Sequence, residues 1–332
     1  MASMRDVAAR AGVSAKTVSR VFNDDPHVSV ATRRRVTLAL DELNYVPNAI
    51  PTTLRNGRAP VIGVAVPDVV DPFFAQVARA AEQHAARHEM SVIIASLGTA
   101  EREPAVVGAM LRQAMTGLII APIGTDHRYL RPWVGRIPMV FVDRPPVDLA
   151  ADTFVSDDVR GAHLATTHLV EHGHTRIAFL GDTLVLPTTH DRLAGYRAAI
   201  HDAALVVDED LIVLGATDRT GAAAAVAALD RIQDRPTALF CTNSRAAMGL
   251  IPVLRDRAIA VTTFGDFPLA DLLQPSLTVI DQHPARLGEL AAQRISDRLN
   301  PAGRRLRRCT TVPVTLVERE SCRLSARTPA PA

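Results

Sequence analysis

Near the amino terminus, Val7, Ala8, Ala11, Val13, Val18, Val21 and Phe22 recur at the three-and-four spacing of an amphipathic helix, and Gly12 interrupts the series. This predicts two short helices joined by a tight turn, with Ser14 capping the second as its hydroxyl accepts from the backbone N–H near Thr17. A third helix is expected over residues 30–43, capped by Ser29, with Val36, Leu40 and Leu43 facing the first two. From residue 60 the pattern changes to short apolar runs (VIGVAVP, SVIIAS, GLIIAPI, IPMVFVD, then RIAFLGD, LIVLGA, TALFCTN, IAVTTFGD and LTVID), with room for helices of 10 to 17 residues between most of them. Runs that stay apolar instead of alternating mark strands covered on both faces, so the rhythm predicts parallel sheets with helices on either side. The number of runs suits two such subdomains with a cleft between them, where ligands sit beyond the carboxyl ends of the strands.

The two amino-terminal helices have the layout of a helix-turn-helix, whose second helix enters the major groove of DNA. Ala8 is small, as a close helix crossing requires, and Val13 and Val18 fill the angle. With Val18 and Val21 facing inward, Ala15, Lys16, Thr17, Ser19 and Arg20 form the outward face. Lys16, the only lysine in the chain, and Arg20 share one side and suit the acceptor edge of guanine, while Ala15 offers a methyl to thymine. Ser14, Thr17, Ser19 and Asn23 carry short polar groups suited to phosphate oxygens, which set register without reading sequence. Charge agrees. Residues 1–58 hold nine basic and five acidic side chains, a net of +4, and since the whole chain has 37 and 35, the remainder holds 28 and 30, a net of −2. The positive charge is where a polyanion would use it.

"MRDVAARAGVSAKTVSRVFN" followed by "VSVATRRRVTLALDELNYVPNAIPTTLRNGR" resembles the DNA-binding headpiece and hinge of the lac repressor (LacI/GalR) family of bacterial transcriptional regulators. "PDVVDPFFAQV", "FVDRP", "RIAFLGD", "DRLAGYRAAI" and "LTVIDQHPARLGEL" resemble that family's effector-binding core. The resemblance implies an α/β fold class with three parts: an all-α helix-turn-helix headpiece over 1–46, a hinge helix over 47–58, and a periplasmic-binding-protein-like core of two doubly wound parallel-sheet subdomains over 59–332. It further implies a homodimer on a palindromic operator, with Leu54 wedged into the minor groove at its centre. Pro51 stands inside the hinge, which biases Ile50 away from helical dihedrals. In the core it implies that Phe73 or Phe74, Arg144, Asp157, Arg192, Asn243 and Gln282 approach a small-molecule effector, a sugar or sugar derivative. Two positions depart from the family pattern: Gly265 stands at the usual ligand aspartate, so that Asp266, one position on, is expected to reach the effector in its place, and Ser244 stands where an aspartate is usual.

Other chemistries find little footing. No dinucleotide, phosphate-loop or nucleophile-elbow pattern occurs, and no nucleophile with a base ends a strand, so neither an enzyme nor a cofactor is expected. The alternative is a sugar-binding protein without DNA, against which the basic head argues. His168 and His172 share a helix face in "HLATTHLVEHGH", but the sequence shows no third ligand, and no metal is expected. Cys241, Cys309 and Cys322 fit neither a disulfide framework nor a zinc spacing. The first residues hold no apolar run, no segment has about 18 uninterrupted apolar residues, and the tail lacks a heptad repeat, so a soluble, cytoplasmic dimer with no membrane partner is expected.

Overall fold

The structure, a computed structural model, describes residues 4–22, 25–43, 60–113, 115–254, 257–300 and 307–323. The chain divides into two compact units, Met1–Ala59 and Pro60–Ala332. The hinge with Pro51 and Leu54, and also Asn23, lie outside the described residues.

In the first unit α1 (Met4–Ala11), α2 (Ala15–Phe22) and α3 (Val30–Glu42) bury Val7, Ala8, Ala11, Val18, Val21, Val36 and Ala39 against one another. Gly12 makes the turn between α1 and α2 at φ 63°, a backbone conformation that a side chain would strain. Ser14 Oγ accepts from the Thr17 N–H at 3.1 Å, which satisfies one of the orphan donors opening α2. Ser29 does the same for α3 through the Thr32 N–H at 3.3 Å.

The second unit holds two six-stranded sheets. The first has the order β11-β5-β4-β3-β1-β2, from β1 (Val61–Val66), β2 (Ser91–Ser96), β3 (Gly117–Ile120), β4 (Met139–Val142), β5 (Asp152–Ser156) and β11 (Cys309–Val312). The second has the order β12-β10-β9-β8-β6-β7, from β6 (Ile177–Gly181), β7 (Ile212–Leu214), β8 (Ala238–Cys241), β9 (Ala260–Phe264), β10 (Thr278–Asp281) and β12 (Thr315–Val317). Every pairing is parallel except β10 with β12. Helices α4 (Pro72–Ala86) and α5 (Glu103–Leu111) cover the first sheet, and α6 (Asp158–Glu171), α7 (Pro187–Asp202), α8 (Arg219–Leu229) and α9 (Ser244–Leu254) cover the second.

The helix α10 (Pro284–Leu299) follows a strand of the second sheet yet packs on the first, where Leu287, Ala291 and Ile295 join Ile62, Val64 and Val77 in one core. The chain therefore crosses between the lobes three times: after β5, after β10, and through Pro313 and Val314 between β11 and β12. Neither β11 nor β12 was legible as a strand. Both are short edge segments with half-exposed side chains and no continuous apolar run.

Candidate functional site

On the first unit, burial of Val18 and Val21 turns the opposite face of α2 outward, leaving Ala15, Lys16 and Arg20 exposed and Thr17 and Ser19 half-buried. Ser14 Oγ also lies 2.9 Å from Thr17 Oγ1, so both hydroxyls take part in the cap. Arg20 does not hang free: its Nε donates to Asp25 Oδ2 at 2.7 Å, a contact that lowers the Asp25 carboxyl below its ordinary range. Asp25 in turn accepts from the His27 N–H at 2.9 Å, which fixes the clamp to the loop after α2. Arg33 donates to the Val21 and Asp25 carbonyls at 3.3 and 3.2 Å and closes the carboxyl end of α2. The clamp and the closure escaped the sequence reading, since both depend on where the loop folds.

On the second unit, the carboxyl ends of the strands open into a cleft of about 230 Å³. Asp71 caps α4 by accepting from the Phe73 N–H at 2.9 Å, with Pro72 as the first helical residue. That places Phe73 and Phe74 directly beyond β1, their rings edge-to-face with centroids 5.0 Å apart, at the wall of the cleft. Burial raises the Asp71 carboxyl above its ordinary range. Arg144 donates from Nη1 to the Pro122 carbonyl at 3.1 Å and lies 3.2 Å from Asp143, whose backbone is held at φ 68°. A non-glycine residue at positive φ costs free energy that the surrounding structure must offset, and such residues cluster at functional sites.

Arg192 is fixed more firmly than any other group there. Its Nε donates to Asp158 Oδ1 at 2.7 Å, its Nη1 to the Thr242 carbonyl at 2.5 Å, and its guanidinium carbon lies 3.9 Å from the centroid of the Phe264 ring. Nη2 is left without a partner among the described residues. Burial pushes the Asp158 carboxyl up to about 6, against the opposing pull of the Arg192 charge. Asn243 caps α9 through its Oδ1, 2.8 Å from the Ala246 N–H, and so keeps its amide N–H groups for the cleft.

The cleft thus brings together Phe73, Phe74, Arg144, Arg192, Asn243 and Gln282. It does not bring in two expected residues. Asp157 is the cap of α6, accepting from the Arg160 N–H at 3.2 Å, and its neighbour Asp158 takes the inward position. Asp266 forms a two-point ion pair with Arg319, at 2.7 and 3.2 Å, away from the cleft wall. One step along a strand end reverses the direction of a side chain. Gly265 has φ 96°, and a Cβ there would meet Gln282 Oε1 at 3.1 Å, so the volume left by the missing aspartate is occupied by the carboxamide of Gln282. Thr188, Thr189, Thr217 and Arg245 also line the cleft and were not anticipated. Helical spacing would have found the first two, which lie one turn before Arg192 on α7. Another groove, of about 500 Å³, lies against α9, but leucine, isoleucine and proline side chains dominate its wall and no strand carboxyl end opens into it.

Comparison with known proteins agrees with this architecture. Residues 3–48 match the family described as bacterial regulatory proteins, lacI family, and residues 166–322 match a periplasmic binding protein-like domain. The HTH-type transcriptional repressor PurR of Vibrio atlanticus is 30% identical over 311 residues, covering 90% of this chain and 93% of its own. The ribose operon repressor of Escherichia coli K12 is 32% identical over 331 residues, covering 97% of this chain and 100% of its own. Among solved structures, the lac repressor dimer bound to operator and the anti-inducer ONPF superposes with a TM-score of 0.85 at 26% identity, covering 97% of this chain and 99% of its own. A three-helix head with an outward cationic face, two lobes crossed three times by the chain, and full-length relatives of the same layout lead to one conclusion: this chain belongs to the lacI family of bacterial regulatory proteins, DNA-binding transcriptional repressors controlled by small-molecule effectors.

Proposed function

We propose that this repressor reads each half of a palindromic operator with Ala15, Lys16 and Arg20 at the base edges, while Ser14, Thr17 and Ser19 hold phosphates. Asp25 holds the Arg20 side chain through Nε, which limits its rotamers and leaves the two terminal nitrogens for guanine O6 and N7. Less side-chain entropy is then lost on binding. Residues 1–46 act as the headpiece and 59–332 as the effector-binding and dimerisation core; residues 47–58, with Leu54, act as the hinge and central wedge.

The effector we infer is a small polyhydroxylated molecule of monosaccharide size. The observation that carries this is Arg192, held on three sides with Nη2 unpaired among the described residues, beside two aromatic rings and the amides of Asn243 and Gln282. Such a mixture of flat apolar faces and fixed hydrogen-bonding groups suits a sugar ring. The volume, about 230 Å³, is below the roughly 300–1,000 Å³ typical of sites for drug-sized ligands, which favours one ring over two. Similarity to the ribose operon repressor over the whole chain points the same way. An effector bridging the lobes biases the angle between them, and by linkage its affinity and that for DNA are coupled reciprocally.

The test is fluorescence anisotropy of the full chain on operator-like fragments from its own genome, with and without monosaccharides selected by thermal shift. Release or tightening by one such ligand, abolished in Arg192→Lys, is the expected result. Ligand binding that never changes DNA affinity overturns the coupling, and absence of DNA binding at low ionic strength overturns the reading as a whole.

A further inference from the structure

The structure supplies at the end of α6 what the sequence lacked. His168 and His172 stand one helical turn apart with ring centroids 4.4 Å from each other, and the chain leaving β12 brings Glu318 alongside them. One ring nitrogen from each histidine and one carboxylate oxygen all lie within 4.8 Å of one another. These residues are on the second lobe and take no part in the cleft.

Two independent observations favour a ligand here. His168 is 5% exposed, yet its Nε2 has no hydrogen-bond partner among the described residues, a state that buried polar atoms rarely tolerate. His172 Nδ1 is 2.8 Å from the His168 carbonyl oxygen and donates to it, so Nε2 carries the lone pair. Metal-binding histidines are commonly oriented in this way, by donating the other ring N–H to a carbonyl or carboxylate.

We propose that His168, His172 and Glu318 form a binding site for a transition-metal dication of the zinc class. Two imidazole nitrogens and one carboxylate oxygen are a borderline donor set, suited to zinc rather than to magnesium or calcium, which prefer oxygen alone. The fourth position falls to water. In a tetrahedral site with bonds of about 2.0 Å the ligand atoms stand about 3.3 Å apart. Glu318 is exposed and His172 half-buried, so side-chain rotation can close the remaining distance while His168 stays in place. The bound ion joins α6 to the segment that follows β12, a three-residue edge strand reached by the last crossover between the lobes. It would pin that crossover to the second lobe.

The experiment uses metal-free full-length protein, zinc in competition with a chromophoric chelator, and cobalt(II) as a spectroscopic probe of tetrahedral geometry. Wild type is expected to take one tight equivalent of zinc per chain and to develop the visible cobalt band. His172→Ala should lose that equivalent, and Glu318→Gln should weaken it at least tenfold. The control is His88→Ala, because His84 and His88 also stack, at 4.7 Å, without a carboxylate among the described residues completing a ligand set; it should leave the stoichiometry unchanged. Should His172→Ala fail to fold by circular dichroism, the exposed Glu318→Gln decides the matter. Equal zinc affinity in wild type and Glu318→Gln, or no zinc bound at micromolar concentration, overturns the proposal.

Discussion

Arg192→Met isolates how the cleft keeps a buried charge. Asp158 is 6% exposed, and its carboxyl moves from 3.8 to about 6 in the folded chain. A raised carboxyl stabilises the fold fully below its unfolded value and loses that contribution as pH rises through about 6; at about 1.4 kcal/mol per pH unit the loss amounts to about 3 kcal/mol. Arg192 stops the loss there, because its charge favours the ionised form. Without it the carboxyl stays protonated to higher pH and the cost keeps rising, by about 2 kcal/mol more at about pH 7.5. The charged hydrogen bond to the Thr242 carbonyl adds about 1.5–3 kcal/mol, so the total falls near the 3–5 kcal/mol typical of breaking a buried pair. At about pH 5 the carboxyl is largely neutral in both proteins and only the hydrogen-bond part remains. Urea unfolding followed by circular dichroism should therefore give a destabilisation about 2 kcal/mol larger at pH 7.5 than at pH 5, and this difference should vanish in an Asp158→Asn background. A destabilisation independent of pH, or a pH dependence that survives Asp158→Asn, refutes the reasoning.

Arg20→Ala should cost about 1–3 kcal/mol of operator binding and relax selectivity at one base pair per half-site, measured by anisotropy across single-base operator variants; uniform weakening would assign it to phosphate instead. Ser14→Asp should retain the cap and the headpiece melting temperature while losing DNA affinity by charge repulsion, whereas Ser14→Ala should lose about 1 kcal/mol of headpiece stability. Gly265→Asp should cost about 1–2 kcal/mol in thermal unfolding, because the position has φ 96° and its Cβ would press on Gln282. Glu103→Ala should cost at least about 3 kcal/mol, since this buried carboxylate accepts from the Ile123 and Gly124 N–H groups and the Tyr129 hydroxyl, donors that would be left unpaired.

The local structures were legible from short-range signals along the chain. Helical spacing broken at Gly12 marked α1 and α2, the hydroxyls of Ser14 and Ser29 marked the caps of α2 and α3, and unbroken apolar runs marked the parallel strands, because each of these signals acts within one or two turns of chain. The sequence also brought Phe73, Phe74, Arg144, Arg192, Asn243 and Gln282 to strand ends that share a cleft. What lay beyond reach depended on contacts between distant segments. Asp158 rather than Asp157 faces Arg192 because the cap of α6 uses the first carboxylate, and Asp266 turns to Arg319, 53 residues further on. The short strands β11 and β12 exist only because β5 and β10 offer them edges to pair with. The same pairing carries Glu318 to His168 and His172, a meeting that arises only in the folded chain, since no periodicity links positions so far apart in sequence.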